Sequence, residues 1–137
     1  MTEEGNSYEE IGEAECLDLL RSGGLGRLAV VAGGRPEIFP VNYLFDEGRV
    51  AIRTDPGTKL TAAALAKVAF EIDRVDEAER TGWSVVVRGT AYDISDSLDE
   101  VSRLMRDLPV HTWAPGDKSA WIRIEADTIT GRRIRRR

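Results

Sequence analysis

Apolar residues recur at every third position over Ile11, Ala14, Leu17 and Leu20, then change to the alternating and short-run patterns of strands for most of the remaining chain. The first stretch predicts an amphipathic helix. Ser7 followed by Glu10 fits a capping box at its start, and Gly23-Gly24 fits a stop at its end. Strands are expected over 26–31 and 37–45, joined by a hairpin turn at Gly33-Gly34. Pro40 interrupts the second of them. A central strand resists proline, so a bulge or an unpaired segment open to a ligand is expected there. Asp46-Glu47-Gly48 turns the chain into a third strand over 49–54, and a fourth follows over 67–75. Residues 82–94 form a long strand in which Gly89 suits a bend where a barrel curls. Leu98, Val101, Leu104, Met105 and Leu108 mark a second amphipathic helix over 97–108. A loop carrying His111, Trp113 and Pro115-Gly116 leads to a last strand over 119–129, closed by Thr130-Gly131.

Meandering antiparallel strands with few helices between them imply a mainly β barrel and argue against a parallel doubly wound sheet. The whole chain, 1–137, reads as one domain, with 1–10 and the arginine-rich 132–137 as loose ends. The length of 137 residues, with 42% hydrophobic and 31% charged residues, is enough for a core without staples. The net charge of -5 argues against nucleic acid as the main partner. One cysteine, Cys16, excludes an internal disulfide and a cysteine-based zinc cluster, and one histidine, His111, excludes paired-histidine and His-rich metal chemistry, so no metal site is expected. No apolar run reaches the length of a membrane span and the first residues are acidic, so the expected setting is cytoplasmic, without a membrane partner.

The stretch Arg53-Thr54-Asp55-Pro56-Gly57-Thr58-Lys59 joins the third strand to a short helix-like run at 60–65. A turn there gathers backbone N–H groups, two hydroxyls and two cations, which suits a phosphate; the alternative is a tight turn whose charges sit in water. Glu71 and Asp73 lie two apart on one strand and share a face, as paired acids or as partners of a nearby arginine. Cys16 reads as a small packed residue, and His111 with Trp113 as a loop that either walls a ligand or simply faces water. No catalytic residue is identifiable from these patterns.

The ordered set Phe39-Pro40-Val41-Asn42-Tyr43, Ile52-Arg53-Thr54 with Lys59, Val68-Ala69-Phe70-Glu71-Ile72-Asp73, and Gly82-Trp83-Ser84-Val85-Val86-Val87-Arg88-Gly89 resembles the pyridoxamine 5′-phosphate oxidase-like proteins. The Gly-Trp-Ser run and the Thr130-Gly131-Arg132-Arg133 ending are most similar to a small bacterial branch of that family. The resemblance implies a split antiparallel β-barrel of the FMN-binding type and a homodimer with the flavin at the interface. Arg53, Thr54, Thr58 and Lys59 would hold the FMN phosphate. Phe39, Pro40, Val41 and Asn42 would line the isoalloxazine, and Trp83 with Ser84 would reach the flavin of the partner subunit. The implied activity is an FMN-dependent oxidoreductase passing hydride or electrons between a nicotinamide donor and a small organic acceptor. A deazaflavin-binding reductase and a non-catalytic dimer binding flavin or haem are the alternatives. The oxidation of pyridoxamine phosphate itself is not expected, because the basic and histidine residues that hold that substrate in the family have no convincing counterpart near the C-terminus.

Overall fold

The computed structural model describes residues 5–136, apart from the side chain of Thr58. Its elements run β1 Asn6–Ile11, α1 Glu13–Leu20, β2 Gly24–Ala32, β3 Arg35–Asp46, β4 Arg49–Thr54, α2 Thr58–Ala63, β5 Ala66–Asp76, β6 Thr81–Asp93, α3 Glu100–Arg106 and β7 Ala120–Arg136. All pairings are antiparallel. The order β1-β7-β4-β3-β2-β5-β6 closes into a barrel through an added β6–β7 ladder. The fold is the mainly β barrel that the strand pattern implied, in the split form that the resemblance implied.

The hairpins follow from their turns. Gly33 and Gly34 both take positive φ, 58° and 76°, as the two-residue turn that pairs Ala32 with Arg35 requires. The β6–β7 ladder shifts register between Arg88 and Gly89. A Cβ on Gly89 would collide with the carbonyl oxygen of Glu125 on β7, so the bend depends on the absence of a side chain. Inside the barrel, alternate residues of β2, β5 and β6 meet: Leu28, Phe70, Val85 and Val87 are all fully buried. Tyr43 packs edge-on against Phe70 with centroids 4.9 Å apart, and its hydroxyl donates to the carbonyl of Leu20 at 2.8 Å, tying α1 to the barrel mouth.

Four sequence expectations need correction. Residues 6–11 are a strand and not the start of the first helix, which begins at Glu13 after an N-cap at Gly12. The Ser7/Glu10 pattern fits a capping box, but the unpaired edge of β7 beyond β4 offers these residues a full backbone ladder, and tertiary pairing prevails. For the same reason residues 132–136 are the end of β7 rather than a loose arginine tail, and 6–10 are no loose end either; the parts of those expectations at 1–4 and 137 lie outside the described residues. Pro40 causes no bulge: it stands opposite Arg27 in an unbroken β2–β3 register. Its missing N–H is tolerated because β4 pairs only with 43–46 and leaves the other edge of β3 unpaired before that. Finally, the helix expected over 97–108 is the shorter α3, which buries Met105 and Ser102 and leaves Leu104 exposed, while Leu98 lies exposed ahead of it.

Replacing Gly89 by alanine should therefore destabilise the barrel by about 1–3 kcal/mol, the usual cost of overpacking. Urea titration followed by tryptophan fluorescence would measure it, and an unchanged midpoint would refute the proposed crowding at Gly89.

Candidate functional site

The β4–α2 turn, with α2 only six residues long, presents its charge through side chains. Thr54, buried at the end of β4, accepts a hydrogen bond from Lys59 Nζ at 2.9 Å. The Lys59 ammonium also lies 5.4 Å from the centroid of the Phe39 ring on β3. Burial pulls the Lys59 ammonium below the ordinary lysine range, and the charge of Lys118 adds to this against the pull of Asp55. Lys118 itself donates from Nζ to Asp55 Oδ2 at 2.8 Å, and its backbone carbonyl accepts from Arg53 Nε at 2.7 Å.

Three cations thus converge on one turn, and among the described residues the carboxylate bonded to them is Asp55, held by Lys118. Among the described residues, neither Arg53 nor Lys59 forms an ion pair. A half-buried ammonium, with a second cation near it and no carboxylate of its own, is an arrangement that a phosphate would relieve, so the residues fit that group. Lys118 and Asp55 were not singled out from the sequence. A signal was available: the chain has only three lysines, Lys59, Lys67 and Lys118, and two of them meet here.

The β3 residues expected to line a ring run along the strand whose outer edge β4 leaves open. Phe39 is half-buried, Pro40 exposed and Val41 turned into the core. Asn42 is buried and engaged within the chain: its Nδ2 donates to the Gly24 carbonyl at 3.4 Å, and its Oδ1 accepts from the Trp113 backbone N–H at 2.9 Å. It therefore fastens the 109–118 loop over the barrel mouth, and the Lys118–Asp55 pair fastens the other end of the same loop. Trp113 itself is exposed, and His111 on that loop is exposed with no hydrogen bond among the described residues.

Trp83 and Ser84 sit elsewhere. Both are half-buried on β6, opposite Arg74 and Asp73 of β5 and Arg133 and Arg132 of β7. They line a cleft of about 540 Å³ with Tyr8, Val75 and Gly82. Trp83 also faces a hollow of about 300 Å³ shared with Tyr43 and Trp113. Neither hollow includes Lys59 or Arg53, so one chain does not bring the two halves of the expected site together. Thr58 opens α2, and its side chain lies outside the described residues.

The remaining candidates have ordinary partners. Cys16 is buried, with its thiol pushed up by that burial, and packs beneath Gly131. Glu71 and Asp73 share Arg27. Among the described residues, no group of three acidic, histidine or cysteine side chains could hold a metal.

The antiparallel split barrel defines a structural class, and comparison with known proteins places the chain in a family of that class. Residues 12–133 match the pyridoxamine 5′-phosphate oxidase family, and the chain belongs to that family. It is 37% identical over 131 residues to the uncharacterized protein Rv0080 of Mycobacterium tuberculosis, covering 91% of this chain and 84% of that one. A FAD binding protein from Mycobacterium smegmatis superposes with a TM-score of 0.77 at 37% identity, covering 93% of this chain and 98% of that chain. A putative pyridoxamine 5′-phosphate oxidase from Corynebacterium glutamicum gives 0.76 at 38% identity, with 92% of each chain covered. A FAD-binding protein from Mesorhizobium loti gives 0.76 at 25% identity, covering 96% of this chain and 99% of that one.

Asn42→Ala removes its hydrogen bonds to Gly24 and Trp113, should cost about 0.5–1.5 kcal/mol for each, and should free the 109–118 loop. Hydrogen exchange at the Trp113 amide would read this directly; unchanged protection there would remove Asn42 as the fastener.

Proposed function

We propose that this protein binds a flavin nucleotide through its phosphate and works as a flavin-dependent oxidoreductase, passing hydride or electrons between a nicotinamide donor and a small organic acceptor. The observation that carries this is the cationic turn: Arg53 and Lys59 have no carboxylate partner among the described residues, and Thr54 and Lys118 hold them in place. A bound flavin would supply two-electron chemistry, for which the protein need contribute position, electrostatics and exclusion of water. Arg53 and Lys59 would neutralise the phosphate, with Lys118 beside them. The open edge of β3 at 39–42 offers backbone groups to a flat ring, and Asn42 keeps the loop above it in place.

The flavins that fit are FAD and FMN. The relatives from Mycobacterium smegmatis and Mesorhizobium loti are called FAD binding proteins, which favours FAD. FMN, which the sequence resemblance implies, presents a phosphate of the same kind to the same turn. Trp83 and Ser84, remote from the turn within one chain, would serve the flavin of a second subunit, which supports a homodimer with shared sites. Oxidation of pyridoxamine phosphate is not part of this proposal. Arg133 is paired with Glu15, Arg135 with Glu9 and Arg136 with Glu79, which leaves little of the arginine run for a phosphorylated substrate. A cytoplasmic setting is consistent with the unpaired, buried Cys16.

Protein purified from a flavin-replete host should be yellow, and its extracted chromophore should run as FAD or FMN. Colourless protein that gains affinity only for a deazaflavin would move the assignment to that cofactor. The double variant Arg53→Ala with Lys59→Ala should lose at least about a hundredfold in flavin affinity, two charge-assisted contacts at roughly 1.5–3 kcal/mol each. Undiminished binding would refute the phosphate site. Because Lys59 must be charged to hold the phosphate and its pKa is lowered, affinity should begin to fall with rising pH before the ordinary lysine value of 10.5. Lys59→Arg should move that fall to higher pH.

A further inference from the structure

The outer wall of the barrel is covered on one side and bare on the other. Around β4 and the start of β7, α3 and the loops beside it seal a second apolar cluster of Ala51, Ile94, Met105, Val110 and Trp121. On the opposite side α2 reaches β2, β5 and β6, yet the outward rows of these strands and of the first half of β3 hold strongly exposed side chains. The register there sets Ile38, Ala29, Ala69 and Arg88 in one outward row and Pro40, Arg27, Glu71 and Val86 in the next. Val31, Ile38 and Val75 on this face are 63%, 66% and 67% exposed. Four strands about 4.8 Å apart and about eight residues long make a face of roughly 500 Å², the same order as the roughly 800 Å² each partner gives to a standard interface.

Two carboxylates share one guanidinium at its centre. Arg27 Nη1 lies 3.3 Å from Glu71 Oε1 and 3.2 Å from Asp73 Oδ2. From β6, Val86 stands opposite Glu71 and Ser84 opposite Asp73, with Arg88 one row further on. Arg88 is turned toward β7, where it donates to Thr130 Oγ1 at 3.1 Å. Arg132 of β7 lies beyond Ser84, and Pro40 of β3 lies beyond Arg27. Among the described residues no cation but Arg27 bonds to the two acids, so one negative charge is in surplus there when both are ionised. Burial and the neighbouring Asp73 push Glu71 up to about 7 against the pull of Arg27.

We propose that a second copy of this chain covers this face, and that Glu71 and Asp73 take up one proton between them as it does so, which makes self-association proton-linked. The proposal rests on the dimeric reading given above and adds what governs the affinity of the copies. A second copy fits because the patch carries both signs of charge amid apolar side chains, as a self-complementary two-fold contact requires. Covering the patch strips water from a cluster whose acids outnumber its guanidinium, and a bound proton cancels the surplus. The sign follows: an acid whose pKa rises on association gains a proton on association. Self-association is then strong below that range and weakens as pH rises through about 7, the value in the free protomer, and beyond.

Sedimentation velocity on dilution series of the whole chain at pH 6.5 and 8.5 tests this, with Glu71→Gln and Ile38→Glu beside the wild type. The wild-type dissociation constant should rise at least about tenfold between the two pH values, since one proton per protomer permits far more. Glu71→Gln, neutral at both, should keep the tight low-pH constant throughout, and Ile38→Glu should weaken association at both. A dimer with a flat profile, or a Glu71→Gln variant that keeps the wild-type slope, would overturn the proton link while leaving the dimer intact. Unchanged association in Ile38→Glu would move the contact away from this face. Monomer at both pH values would remove the dimer itself, and the proposal with it.

Discussion

Everything in this molecule hangs on one strand meeting three others. β7 pairs with β4 over its first part, with β1 over its last part, and with β6 along nearly its whole length on the other edge. Only the β6 contact closes the sheet into a barrel, and it does so through a change of register at Gly89. A closed barrel leaves few unpaired edges to invite pairing with other chains. The exchange of β4 for β1 along a single edge of β7 is what gives the barrel its split form. It also explains why both ends of the described chain are strands.

The cationic turn is a consequence of that arrangement. β4 is only six residues long and stops where β7 begins, so Thr54 pairs with Ala120 and the chain must turn at Asp55. The residues just before β7, including Lys118, are thereby set beside the residues just after β4. β3, twice as long as β4, runs on past it and leaves an open edge next to Lys59. A charged turn and an unpaired strand edge are thus neighbours because two paired strands differ in length. The loop at 109–118 bridges the two, pinned by Asn42 at one end and Asp55 at the other.

The strands from 26 to 94 were legible because their alternation, turn glycines and lengths agree. Gly33-Gly34 and Gly89 each announced a backbone need that the barrel then shows. What was hidden depends on pairing between distant segments. Nothing local in Ser7 to Glu10 reveals that β7 has a vacant edge, and the arginines after Gly131 look like a solvated tail until acids from β1, α1 and the 77–80 turn are found beside them. Arg53, Thr54 and Lys59 could be picked out as a group because they lie within one turn. Lys118 and Asp55 could not, because their partnership spans 63 residues of sequence. Asn42 was placed correctly on the strand, but its engagement with Gly24 and Trp113 is a tertiary fact that no spacing records.

β7 is the last of the described elements, and this has a consequence for how the protein comes into being. While residues 5–119 emerge during synthesis, β4 and β6 have no partner on one edge and β1 has none at all. The earlier hairpins can form, but the ring stays open until the final strand is free to enter it. Closure therefore cannot precede the emergence of β7. Until then, the nascent chain displays the sheet edges that most invite aggregation.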